Sequence, residues 1–277
     1  MLRSILVALD DTPGARSARD LAFAMARQTK AALTVAVVLD LPHAAEDEPV
    51  PIGGAAYKER RDAARIARAE TEAAESLKAC AAVAEDIPFE TLRLPDAPEP
   101  ALRTAAARYD LLVIGRDSTL GLEQADDGLA PTIEGLLHRG ARPLLVVPPG
   151  VPLRTEGPVL IGYDGSLPCQ RVVQLYALLR PFGSTAVKVV SVGVSAAAAQ
   201  AQADTAADYL RGQGLSAEAF GSVSDHPADV LLAEAAAMHA RMLVIGAYEN
   251  TGLRLLLRGS ATRKLLSQAT CPIFVAH

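Results

Sequence analysis

The sequence predicts an α/β protein built as two tandem, doubly wound parallel sheets of five strands, each sandwiched between two layers of helices. Three observations carry this. Short apolar runs alternate with longer helical patterns, which calls for a parallel sheet with right-handed crossovers. The apolar runs lack polar–apolar alternation, as strands covered on both faces should. And the chain repeats itself.

The repeat fixes the domain plan. ILVALDDTPGARSARDLAFAMA (Ile5–Ala26) resembles VLIGYDGSLPCQRVVQLYALL (Val159–Leu179). Each is an apolar strand ending near an Asp, then a turn, then a helix. RYDLLVIG (Arg108–Gly115) resembles HARMLVIG (His239–Gly246), and RPLLVVPP (Arg142–Pro149) resembles CPIFVAH (Cys271–His277). Asp164 follows Asp10 by 154 residues, Gly246 follows Gly115 by 131, and Pro272 follows Pro143 by 129. The first copy therefore holds 23 more residues between its Asp-ended strand and its LVIG strand, and two more after that. The Pro/Gly-rich PGVPLRTEGP (Pro149–Pro158) is the expected linker, giving domains 1–149 and 157–277.

In the second copy the pattern predicts strands near 158–163, 186–192, 216–221, 242–246 and 272–276. Helices are expected near 167–180, 196–213, 227–239 and 260–268. Most of the extra residues of the first copy fall in Ala55–Ile87, a long, charged, alanine-rich helix whose Arg/Glu content reads as a solvated face. The last strands, Leu144–Val147 and Ile273–Ala276, are short and apolar, and are expected to pair the halves about a pseudo-twofold axis.

Composition narrows the function. Half of the 277 residues are hydrophobic but only 4% are aromatic, which favours alanine-rich helices packed closely on flat sheets. A net charge of −5 with no basic face argues against nucleic acid as a partner. No apolar run is long enough to span a bilayer, so no membrane partner is expected. The opening MLRSILVALDD turns acidic too soon for a signal peptide. Cys80, Cys169 and Cys271 are widely spaced with no CxxC, which predicts reduced thiols and a cytoplasmic location. His43, His138, His226, His239 and His277 form no HExxH, and there is no GxSxG elbow. No catalytic residue or metal site is predicted, and at most slow hydrolytic turnover is expected.

The chemistry concentrates in VIGAYENTGLRLLLRGSATRKLL (Val244–Leu266). Gly246 ends a strand, and Gly259-Ser260 opens a helix whose free N–H groups and dipole favour an anion. The stretch is neither a Walker A loop nor GxGxxG. The plain alternative is that Gly246 is a tight strand exit, Gly259 a turn, and Ser260 an N-cap for Thr262 or Arg263. On residues alone both readings stand.

Taken together, the Asp-ended first strand, the LVIG strand, the glycine stretch and the CP-[IV]-x-V final strand resemble a universal stress protein in its tandem two-domain form. The resemblance covers both halves. It implies the adenine nucleotide α-hydrolase-like fold, ATP binding in a subset of members, dimers made through the last strand, and a stress-response sensing role. Nucleotide-binding members carry G-x2-G-x9-G-[ST] after the fourth strand. Here that register falls on Gly246, Glu249, Gly259 and Ser260, so three of four positions match, with Gly252 nearby but out of register. The resemblance implies that Asp164 approaches the ribose and that Val192 offers backbone to the adenine. Gly246, Ala247, Gly259, Ser260 and Ala261 would line the phosphates. Asp164 also has a plain reading, as an Asx turn or cap with Gly165-Ser166.

Two departures matter. Glu249 sets a carboxylate beside the phosphates, at a cost on the order of 1 kcal/mol or more. A bridging Mg²⁺, an outward rotamer, or pairing with Arg254 or Arg258 would relieve it. In the first copy Asp10, Val38 and Gly115 match the family positions, as a degenerate site. Ala130-Pro131, however, replaces Gly259-Ser260, and Glu123, Asp126 and Asp127 add negative charge. The expectation is a C-terminal half that binds ATP and an N-terminal half that does not and serves as its dimerisation partner. The alternative is a scaffold that binds no nucleotide. Further homodimerisation is left open.

Overall fold

A computed structural model describes residues 1–41, 54–120, 128–152, 154, 156–247 and 261–277. In the N-terminal half the strands are β1 (Ser4–Leu9), β2 (Ala32–Val38), β3 (Phe89–Leu94), β4 (Leu111–Gly115) and β5 (Leu144–Val147). Its helices are α1 (Pro13–Thr29), α2 (Ala55–Ala84), α3 (Pro98–Ala106) and α4 (Pro131–Arg139). The C-terminal half has β6 (Val159–Gly162), β7 (Val187–Gly193), β8 (Ala217–Val223), β9 (Met242–Gly246) and β10 (Ile273–Ala276). Its helices are α5 (Leu167–Leu179), α6 (Ala196–Gly212), α7 (Pro227–Ala237) and α8 (Ala261–Gln268).

Each half is a doubly wound sheet of five parallel strands, with the first strand in the middle and the order reversing between the first and fourth strands. The two sheets merge into one of ten strands, ordered β3-β2-β1-β4-β5-β10-β9-β6-β7-β8, because β5 and β10 pair antiparallel. Leu145 lies opposite Phe274 in that pairing. These two residues are 129 apart, the same spacing as Pro143 and Pro272, so the pseudo-twofold axis passes through this pair.

The missing alternation has a direct cause. Ile5, Val7 and Leu9 of β1 pack into one core layer with α1, α2, α5 and α6, while Leu6 and Ala8 pack into the other with α3, α4, α7 and α8. Both faces of the central strands are buried, so both must be apolar, whereas the edge strands β3 and β8 are largely open to solvent and carry polar residues. Caps repeat between the halves: Thr12 accepts from the Ala15 N–H at the start of α1, and Ser166 from the Cys169 N–H at the start of α5. Both helices end on a left-handed residue, Lys30 and Arg180. Helix α2 is the exception. It runs 30 residues, and only Ala73, Cys80 and Ala84 are buried, so its Arg/Glu face is solvated. Among the described residues no helix is long and apolar enough to cross a membrane.

Candidate functional site

In an open parallel sheet the ligand crevice lies beyond the carboxyl ends of the strands, where the strand order reverses. This chain has two such points, one per half. Each brings together an Asp after the first strand and a Gly ending the fourth.

In the N-terminal half Asp10 leaves β1 and is half-buried. One carboxylate oxygen accepts from the Thr12 N–H (3.0 Å) and the Thr12 hydroxyl (2.7 Å). The other accepts from the Leu120 N–H at 3.0 Å. Leu120 is 2% exposed and sits at φ +51°, folding the segment after β4 back over the crevice. Burial raises the Asp10 pKa above its ordinary 3.8, and the Thr12 and Leu120 donors only partly oppose this. A cavity of about 200 Å³ remains beside it, walled by Asp10, Asp11, Arg16, Arg19 and Glu75. Its signs are mixed, which does not suit a polyphosphate. At the start of α4 the Ala130 N–H donates to the Arg116 carbonyl (2.8 Å), and Pro131 has no N–H. Val38 ends β2 opposite Leu94.

In the C-terminal half Asp164 is exposed. One oxygen accepts from the Ser166 N–H at 2.9 Å, the Asx turn that its sequence allows. The Ser166 hydroxyl and the Cys169 thiol are further donors to this carboxylate. Burial pushes the Asp164 pKa up, but donation from Ser166 and Cys169 outweighs it and holds the group below 3.8. The turn itself is pinned: Gly165 has φ +78°, Gln170 donates to its carbonyl (2.8 Å), and Gln202 donates to the Asp164 carbonyl. Val192 is the penultimate residue of β7, opposite Ser222, beyond the end of β6. Ala247 is buried and its N–H donates to the Ala276 carbonyl (2.8 Å). Ala261 is the exposed first residue of α8. Glu249, Gly252, Arg254, Arg258, Gly259 and Ser260 lie outside the described residues, as do Glu123, Asp126, Asp127 and His43.

The terminal glycines have a packing role that the sequence did not disclose. A methyl group on Gly246 would stand 2.6 Å from the Cys169 backbone nitrogen, at the start of α5. On Gly115 it would run into the Gly14 and Ala15 backbone at the start of α1. Both strands thus meet a helix N-terminus too closely for any side chain.

Other candidates fall away on chemistry. Burial pushes the thiols of Cys80, Cys169 and Cys271 up to about 11, so none is a thiolate at neutral pH. Among the described residues no group of three His, Cys, Asp or Glu is placed to hold a metal ion.

Three residues that matter to this region escaped the sequence reading. Leu120 carried no signal. Arg116 occupies the position of Ala247 in the repeat, and its guanidinium donates to the Ala269 carbonyl in the other half (2.9 Å). Glu134 of α4 forms an ion pair with Arg263 of α8. The repeat spacing alone places that last pair opposite one another.

The fold and its paired crevices define a fused, two-copy α/β protein of the adenine nucleotide α-hydrolase-like type. The chain belongs to the universal stress protein family, whose model matches residues 1–148 and again 157–277. It is 26% identical over 167 residues to Universal stress protein Slr1230 of Synechocystis, which covers 60% of this chain and 57% of that protein. The matched region thus spans little more than half of that relative. In structure it resembles a universal stress protein from Archaeoglobus fulgidus (TM-score 0.74, 15% identity, 99% of this chain and 97% of the other). It also resembles a putative universal stress protein from Pseudomonas aeruginosa (TM-score 0.58, 18% identity, 99% and 93%). At these identities the likeness is one of fold.

Proposed function

We propose that this chain is a cytoplasmic stress-response module whose C-terminal half binds an adenine nucleotide, ATP with or without Mg²⁺, as a signal. In this reading Asp164 holds the ribose hydroxyls and the Val192 backbone meets the adenine. Gly246, Ala247, Gly259, Ser260 and Ala261 line the phosphates. The N-terminal half, residues 1–149, is the non-binding partner of residues 157–277. The single observation that supports it best is the contrast between the two aspartates. Asp164 is exposed and ionised, and among the described residues its carboxylate is bonded only within its own turn, by Ser166 and Cys169, so it still faces solvent where a ribose hydroxyl could reach it; both oxygens of Asp10 are taken by Thr12 and Leu120, the latter from across the crevice. Isothermal titration of the full chain with ATP and Mg²⁺ tests this reading. Saturable heat that Asp164→Ala abolishes supports it; absence of heat at high protein concentration removes it.

A scaffold that binds no nucleotide is the second reading. It is favoured by Gly246, whose lack of a side chain is already accounted for by contact with α5. Nucleotide released on denaturing protein purified without added ligand would dismiss it.

A further inference from the structure

The two halves differ at equivalent positions where they touch each other. Arg116 and Ala247 occupy the same place in the repeat, directly after the strand-ending glycine. Their backbones behave alike: the Arg116 N–H donates to Val147, the Ala247 N–H to Ala276. Their side chains do not. Arg116 crosses the pseudo-twofold axis and donates to the carbonyl of Ala269, immediately after α8. Glu134 and Arg263 are likewise equivalent positions, 129 residues apart, like the axial pair Leu145 and Phe274. In a symmetric pair of identical halves this position would meet its own kind. Here one copy carries a carboxylate and the other a guanidinium, and the two form an ion pair, with side chains 32% and 27% exposed.

Both contacts fall on one helix. Arg263 is the third residue of α8, and Ala269 directly follows its last. The N-terminal half thus grips α8 at both ends, from the segment after β4 and from α4. Those two elements are the ones that would form a phosphate loop in that half, and there the loop features have been replaced by Ala130-Pro131.

We propose that Arg116 and Glu134 are positioning residues for the nucleotide crevice of the other half. The N-terminal copy has exchanged its own phosphate loop for a brace on α8, the helix whose first turn faces the phosphates. This rests on the function proposed above. Its consequence is that nucleotide affinity in the C-terminal half is set partly by residues of the N-terminal half that touch no nucleotide.

The test uses the full chain with Arg116→Met, which keeps the stem and removes the donors. Arg116→Lys, which restores one donor, and Glu134→Gln accompany it. Hydrogen exchange of peptides covering α8 and, as the control, α4 is measured alongside ATP titration. The brace predicts that Arg116→Met speeds exchange in α8 about fivefold or more, leaves α4 near wild type, and weakens ATP by a similar factor. Arg116→Lys should recover most of both effects, and Glu134→Gln should show a smaller change in the same direction. Exchange that rises equally in α4 overturns the proposal, as does ATP affinity within about twofold of a wild type that binds. If the wild type binds no ATP, the functional reading fails, and α8 exchange alone decides whether the brace exists.

Discussion

The crevice of the N-terminal half and that of the C-terminal half start from the same parts and end differently. Both have an Asp in a turn after the first strand, a helix capped by the hydroxyl two residues on, and a glycine pressed against that helix. In the first, Leu120 folds back and its N–H occupies the carboxylate. In the second, the carboxylate faces outward. The shared parts are what the fold needs to bring strand and helix together. The differing parts are where function can lie. An Asp or a Gly at a family position is therefore weak evidence by itself, since the closed copy keeps both.

The largest expected effect tests the shared parts. Gly115→Val and Gly246→Val should each destabilise by about 3 kcal/mol or more, because the new side chain meets backbone that cannot step aside. Denaturant unfolding measures this. Similar costs in both halves support the packing role; a stable Gly246→Val that merely loses ligand would break the comparison.

Next comes the element that closes the first crevice. Leu120→Ala should cost about 2 kcal/mol or more, since the side chain is almost fully buried. A loss below about 0.5 kcal/mol would show that Leu120 is not what fills that crevice.

The smallest effect is electrostatic. Asp10 should titrate above 3.8 and Asp164 below it, as carboxyl carbon resonances would report. The two then contribute to stability in opposite windows. The Asp10 contribution is complete below 3.8 and is lost as pH rises through its raised folded value. The Asp164 contribution is present above 3.8 and is lost as pH falls through its lowered one. Reversed titration order would contradict the closed-versus-open description.

Much of this was legible in the sequence. Strands and helices of the second copy fall within two residues of their expected limits, because short apolar runs alternating with longer helical patterns, punctuated by turn residues and helix-opening Ser or Pro, mark the boundaries without any strand periodicity. The Asx turn at Asp164 was readable from Asp-Gly-Ser. What was not legible depends on contacts between distant residues. Nothing in the letters Ser-Thr-Leu says that the Leu120 amide reaches Asp10, 110 positions away. Nor does a glycine after an apolar run say whether a phosphate or a helix lies against it. The bridge from Arg116 to Ala269 needs the axis itself, which the repeat implies but does not orient.

The central claim, one open crevice and one closed, is tested most directly by calorimetric titration of wild type, Asp10→Ala and Asp164→Ala with ATP and Mg²⁺. One site per chain, lost in Asp164→Ala and kept in Asp10→Ala, is the predicted result. Two sites per chain, or a single site that Asp10→Ala removes and Asp164→Ala spares, would contradict it.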